Sequence, residues 1–219
     1  MARIHLVSAA ALAGLLLSPL ARAEDFRLED VSVPAALGSY RARTIEVTGS
    51  PLTREAAQKL LSSSTPGSGE EKFAQLDAAR ISIPELIAES RTGDYEQSVV
   101  YRDLVLTKVV KGAAESVDAA SAELSARRPG ATNRGRVGAI HAEGADFPAL
   151  LRVMNGARAK PDEPKKVTTR KMTIAGVEME IEGGGKLKIG SIEGLEFSGR
   201  PLAAPLTSLA EAAPRPGGL

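Results

Sequence analysis

Short alternating motifs recur along this chain, and their recurrence constrains the fold more than any single residue does. Val31-Ser-Val-Pro-Ala-Ala-Leu37 returns as Ile81-Ser-Ile-Pro-Glu-Leu-Ile87 and, more loosely, as Met172-Thr-Ile-Ala-Gly-Val177. Downstream of each stands a second motif: Ile45-Glu-Val-Thr-Gly-Ser-Pro-Leu52, Ile140-His-Ala-Glu-Gly-Ala-Asp-Phe147 and Ile192-Glu-Gly-Leu-Glu-Phe197. Alternation of branched apolar with polar residues puts one face of a strand in a core and the other in water. Each first motif therefore reads as an opening strand, and each second one as a closing strand that runs into a turn.

After the first two closing strands the spacing becomes helical. Ala56, Ala57, Leu60 and Leu61 share one stripe behind Ser50, an expected N-cap, and Pro51. Leu150, Leu151, Val153 and Met154 do the same behind Asp146 and Pro148. The expected unit is strand, turn, strand and short helix, with copies near 26–61, 73–155 and 167–209. The middle copy is enlarged by strands over Gln97–Val109, Ala114–Ser125 and Arg134–Ala142, the first two joined by a turn at Lys111-Gly112. In the third, Val177, Met179 and Ile181 alternate with Glu178, Glu180 and Glu182 before a glycine turn, which reads as a hairpin with one wet face. The predicted fold class is α+β, predominantly antiparallel β, as a meandering sheet over residues 24–209.

The segments between these units are turn-rich. Ser62–Gly69 is a loop by composition, Asn155–Lys166 is polar with two prolines, and residues 210–219 read as a disordered tail. Aromatic residues make up only 3% of the chain and tryptophan is absent, so the core has to be built from Val, Ile, Leu and Ala.

Residues 1–23 read as a cleavable signal peptide: Arg3, an apolar run from Leu6 to Leu17, the helix-breaking Pro19, then Ala21-Arg-Ala23 as the small-x-small cleavage pattern. The run is shorter than the roughly 20 apolar residues that span a bilayer. The expectation is cleavage after Ala23, a mature start at Glu24 and a periplasmic location, with no transmembrane span after processing. Loss of Arg3 and Arg22 takes the formal charge from +1 to −1. A nearly neutral chain does not point to a nucleic-acid partner.

Much chemistry is excluded by composition. There is no cysteine, and His141 is the one histidine after the leader, which removes thiol nucleophiles, thiolate metal sites and any site needing two imidazoles. No Gly-x-Ser-x-Gly elbow supplies a serine for His141, which reads as a half-exposed sheet residue. Glu178, Glu180 and Glu182 share a strand face about 7 Å apart and read as a solvated face, not a catalytic pair or calcium site. Gly183-Gly-Gly-Lys186 and Gly194–Arg200 lack the phosphate-loop spacing. Arg127, Arg128, Arg134, Arg136 and the basic stretch Arg158–Lys171 are solvated loops with the option of touching anionic headgroups or glycans. The expectation is no catalytic, cofactor or metal residue.

Ala79-Arg-Ile-Ser-Ile-Pro-Glu-Leu86, Val100-Tyr-Arg-Asp-Leu-Val-Leu106 and the Ile-Glu-x-x-Gly closing style resemble a family of exported proteobacterial repeat proteins and, more distantly, the repeated strands of AsmA-like envelope proteins. That resemblance implies a role in handling lipid or another envelope component along a β-lined surface, and transfers no catalytic residue. This chain is far shorter than the AsmA-like proteins. The expected function is thus an exported, non-catalytic binding or scaffolding protein. The alternatives are a protein–protein interaction module of the envelope and a hydrolase using a carboxylate pair brought together from separate units.

Overall fold

The computed structural model describes residues 23–35, 37–62, 65–156, 160–181 and 184–203; residues 1–22 of the expected signal segment and the tail from 210 lie outside them. The described strands are β1 (Glu24–Ala35), β2 (Gly38–Ser50), β3 (Ala78–Thr92), β4 (Tyr95–Val110), β5 (Ala113–Ala119), β6 (Ser121–Arg128), β7 (Ala131–Val137), β8 (Ile140–Asp146), β9 (Lys166–Ile174), β10 (Val177–Ile181), β11 (Gly185–Ile189) and β12 (Ile192–Gly199). Three short helices join them: α1 (Arg54–Leu61), α2 (Gly69–Phe73) and α3 (Phe147–Asn155). Every strand pairing is antiparallel.

Register shows the sheet to be simpler than its twelve strands suggest. One edge of β4 pairs with β3 along its length, while the other takes β6 over Glu96–Arg102 and β5 over Val105–Val110. Those two registers are one: Arg102 faces Ser121, Val105 faces Asp118, and between them the Ala120 N–H donates to the Arg102 carbonyl (2.9 Å). The same holds at the next pairing, where Ala119 faces Ile140 and Ala122 faces Val137. Beyond it, Ile140 faces Ile174 and Val137 faces Val177, and Gly138 N–H to Gly176 O and Ala175 N–H to Ala139 O close the gap. So β5–β6, β7–β8, β9–β10 and β11–β12 are each one long strand, and the fold is an eight-strand meander with β1 and β11–β12 as its edges. Pairing runs unbroken from β2 to β3 and from β8 to β9, across the boundaries of the expected units.

A crease crosses this meander where the long strands are interrupted. It runs through Asp30, Pro84, Asp103, Ala120, Gly138-Ala139, Ala175-Gly176 and Gly190-Ser191, and Asp30, Asp103 and Gly176 adopt φ of 50°, 50° and 95°. Aspartate and glycine tolerate this left-handed region better than other residues. Alternation slips there, so that Leu28 and Val31, Ala42 and Ile45, and Ile83 and Leu86 all turn toward the same core. The apolar side of the sheet is thereby kept on one face through the bend. Five residues along lies a second line, at Gly49 (φ 65°), Lys108 (47°), Gly144 (62°) and Glu196 (50°). Three of these close the Ile-x-x-x-Gly/Glu part of the second motif, whose copies at Ile45, Ile140 and Ile192 occupy equivalent places in β2, β8 and β12. The first motif is less regular: Ile81 and Met172 precede the crease, whereas Val31 follows it.

All three helices sit at one end of the meander. There α1 packs on β1, α2 on α3, and α3 on β5 and β9. Leu28 and Ala57 are each 2% exposed and join Ile45, Val47, Ile81, Ile83, Leu106 and Val109 in one aliphatic core, as the scarcity of aromatics predicts. The helix starts follow cap chemistry. Asp146 caps α3 by accepting from Ala149 N–H (2.8 Å), with Pro148 in the first turn. At α1 the cap is Thr53, not Ser50; Ser50 is buried, its hydroxyl donating to Asp77 O (2.7 Å). Within the stretch read as a loop, Ser68 and Glu71 form a capping box that starts α2. The predicted Lys111-Gly112 turn is present, both residues at positive φ, as a two-residue hairpin with the sheet's twist requires.

Candidate binding face

Beyond the crease, away from the helices, the two faces of the sheet are chemically opposite. Direct cross-strand partners share a face, so the pairings define rows that cross all eight long strands. The row next to the crease is Val31, Ala42, Leu86, Tyr101, Ala122, Val137, Val177 and Ile189. The next is Val33, Tyr40, Ala88, Val99, Leu124, Gly135, Met179 and Leu187. Neither row contains a charge. With strands about 4.8 Å apart and rows about 7 Å apart, these two rows alone cover an area on the order of 450 Å². Only part of that area is open: in the first row Ala42, Ala122 and Val137 are buried and Val31 and Leu86 pack against the core, so the exposed apolar surface lies mainly in the second row. Among the described residues no helix packs on this half; Tyr40, Ile181 and Leu187 remain 38%, 46% and 44% exposed.

Two phenols are the polar groups of these two rows; the next row out adds Ser90, Gln97 and Asn133. Tyr101 lies in the first row and Tyr40 in the second, separated by β3. Burial pushes the Tyr101 phenol above its ordinary pKa, and the neighbouring Tyr40 adds to the shift. Tyr101 thus stays neutral, a hydrogen-bond donor held among aliphatic side chains.

The opposite face carries most of the ion pairs, with Ile87 and Val100 set among them. Arg41 meets Glu89 (2.6 Å), Arg91 meets Glu96 (3.3 Å), and Arg102 bonds Glu85 and approaches Glu123 (3.8 Å). On the β10–β11 hairpin Lys188 meets Glu178 (2.7 Å) and Lys186 meets Glu180 (3.2 Å). Lys188 holds the Glu178 carboxyl below the ordinary carboxylate range. The predicted wet face of this hairpin is therefore found for Glu178 and Glu180, while Glu182 lies outside the described residues. Two clefts open at the far turns, one by Arg91, Glu96 and Arg127, the other by Arg134, Glu180 and Lys186. Both lie on the charged face.

Four of the sequence-singled basic residues lie beside a carboxylate. Arg127 approaches Glu96 (4.0 Å), Arg136 lies near Glu178, Lys166 meets Asp146 (3.2 Å) and Lys171 meets Glu193 (3.0 Å). Arg158 and Gly183 lie outside the described residues. Gly184 lies in the hairpin turn and Gly185 opens β11, while Gly194–Gly199 is strand, not a phosphate loop.

His141 is 43% exposed on the charged side of the helical half. Its Nδ1 lies 2.6 Å from Asp118 Oδ1, and its Nε2 is 3.8 Å from Glu143. Ser116 donates to Asp118 (3.2 Å) and shares a hydrogen bond with Thr107 (2.7 Å). Serine, aspartate and histidine are thus gathered in an order no triad uses: the hydroxyl faces the carboxylate, not the imidazole. Sequence reasoning did not anticipate the Asp118–His141 pair, because 23 residues separate partners that only the β5–β8 register brings together. Among the described residues the buried polar ones are Thr44, Ser50 and Thr168, none of them a carboxylate. Comparison with models of protein families, with curated proteins and with solved structures gives no match.

Proposed function

We propose that this chain is an exported, periplasmic, non-catalytic binding protein that takes the acyl chains of a lipid or similar envelope component on the apolar face beyond the crease. The observation that carries this reading is the pair of uncharged cross-sheet rows over which, among the described residues, no helix packs. Water against the exposed part of this aliphatic surface is unfavourable by about 25 cal/mol per Å², and an acyl chain laid along the second row removes it. Tyr40 and Tyr101 give such a ligand's polar end a place to hydrogen-bond. The resemblance to AsmA-like strands points the same way, as does the export signal. The three-unit repeat is part of this reading: the second motif sets the strands that build one continuous face.

The test is native mass spectrometry of the protein expressed with its own leader and purified gently from the periplasm. A mass starting at Glu24 with added mass of a phospholipid or fatty acid is expected. A clean apo species, under conditions that retain lipid on a known lipid-binding control, overturns the reading.

A further inference from the structure

Among the described residues the β11–β12 edge is, with β1, one of the two open edges of this sheet. Neither strand pairs outward among the described residues: β11 bonds only β10, and β12 only β9. The opposite edge strand, β1, carries Pro34 and the charged N-terminal run Glu24-Asp-Phe-Arg-Leu-Glu-Asp30, devices that discourage edge pairing. β11 and β12 also carry charges, Lys186, Lys188, Glu193 and Glu196, but no proline, and Leu187, Ile192, Leu195 and Phe197 are 37–67% exposed there.

We infer that this edge is an isologous interface with a second copy of the same chain, the two sheets joined antiparallel about a two-fold axis between Gly190 and Ser191. The charge pattern is self-complementary. An antiparallel copy about this axis sets Lys188 directly against Glu193, twice by symmetry, while Lys186 faces Leu195. The faces select the register. Pairing about that axis sets Ile189 against the other copy's Ile192 on the apolar face, and Lys188 against its Glu193 on the charged face. A shift by one residue sets positions of the apolar face against positions of the charged face, Ile189 against Glu193 or Leu187 against Glu193 depending on its direction.

The axis also falls on the crease, so the bends of both sheets coincide. On the charged face the row Glu123, Arg136, Glu178, Lys188 alternates in sign, and the second copy's Glu193 continues it. The positive φ at Glu196 is no obstacle, since Gly49, Lys108 and Gly144 hold the same place in strands paired on both sides. The joined sheet has sixteen long strands and one apolar face twice as wide. This inference does not depend on what that face binds.

Sedimentation velocity of the full mature chain is the first readout, with a monomer–dimer equilibrium expected below about 100 µM. Lys188→Glu sets like charges together at two symmetric places and raises the dissociation constant by about tenfold or more, with an unchanged circular dichroism spectrum. The chain has no cysteine, so trapping is unambiguous. The Ile189→Cys/Ile192→Cys double variant gives a covalent dimer on mild oxidation, because cross-strand partners come within disulfide reach while positions 189 and 192 of one strand do not. Either single variant stays monomeric on a non-reducing gel. A wild-type monomer throughout this range, or trapping of the single variants as readily as the double, overturns the inference.

Discussion

Truncating a leucine on each side of the crease separates a core from a binding face. Leu28 is 2% exposed and packed among Ile45, Val47 and Ala57. Leu28→Ala removes the burial of about three methylene equivalents, each worth about 0.8 kcal/mol, and leaves a cavity under α1. The expected loss is about 3–4 kcal/mol. Leu124 lies in the second apolar row, half-buried by its sheet neighbours, with no helix above it. Leu124→Ala creates no enclosed void and forfeits part of the transfer term alone, about 1 kcal/mol. Urea unfolding of delipidated protein, followed by far-ultraviolet circular dichroism, measures both from the shift in midpoint at constant slope. Equal losses for the two variants would refute the reasoning, since Leu124 would then be covered as deeply as Leu28.

Four further outcomes are expected. Gly112→Ala costs about 2 kcal/mol or more, because its φ is 74° and a Cβ there would sit 2.3 Å from the Phe73 carbonyl oxygen; thermal unfolding reads this directly. Lys108→Gly relieves left-handed strain at φ 47° and stabilises by about 0.5–1 kcal/mol by the same measurement, its exposed pair with Glu115 contributing little. The raised pKa of Tyr101 means the unfolded phenol ionises first. Stability is therefore whole below the ordinary tyrosine value near 10 and falls as pH rises toward the higher folded value, a loss that Tyr101→Phe abolishes in alkaline unfolding curves. For Glu178, held low by Lys188, the sign is opposite. Its small contribution is present above the ordinary carboxylate value and disappears as pH falls through the folded one, and added salt flattens it, as a Glu178→Gln comparison of melting temperature against pH shows.

Local chemistry was legible in the sequence, and long-range alignment was not. The β10–β11 hairpin follows from alternation around a glycine turn, and α3 follows from Asp146, Pro148 and the leucine stripe behind them. Ser50 was a reasonable cap by type, but tertiary structure uses its hydroxyl to hold Asp77 O, which leaves Thr53 to start α1. The crease is written in residues that mean nothing alone. Asp103 interrupts an apolar run, Pro84 breaks a ladder and Gly176 follows a strand, and only the common register shows that they lie on one line. The binding face escapes a linear reading for the same reason: alternation shows that each strand has an apolar side, and only the meander shows those sides adding up to two continuous rows. The Asp118–His141 pair likewise depends on a register fixed by β4, β5 and β8 together.

The most direct test of the acyl-binding account is a methyl NMR titration of the delipidated mature protein with a single-chain phospholipid below its micelle concentration. Saturable shifts confined to Val33, Val99, Leu124, Val177, Leu187 and Ile189, with Leu28, Ile45 and Ile83 unmoved, are the predicted result. Shifts concentrated in the helical half, or no saturable shift anywhere, would contradict it.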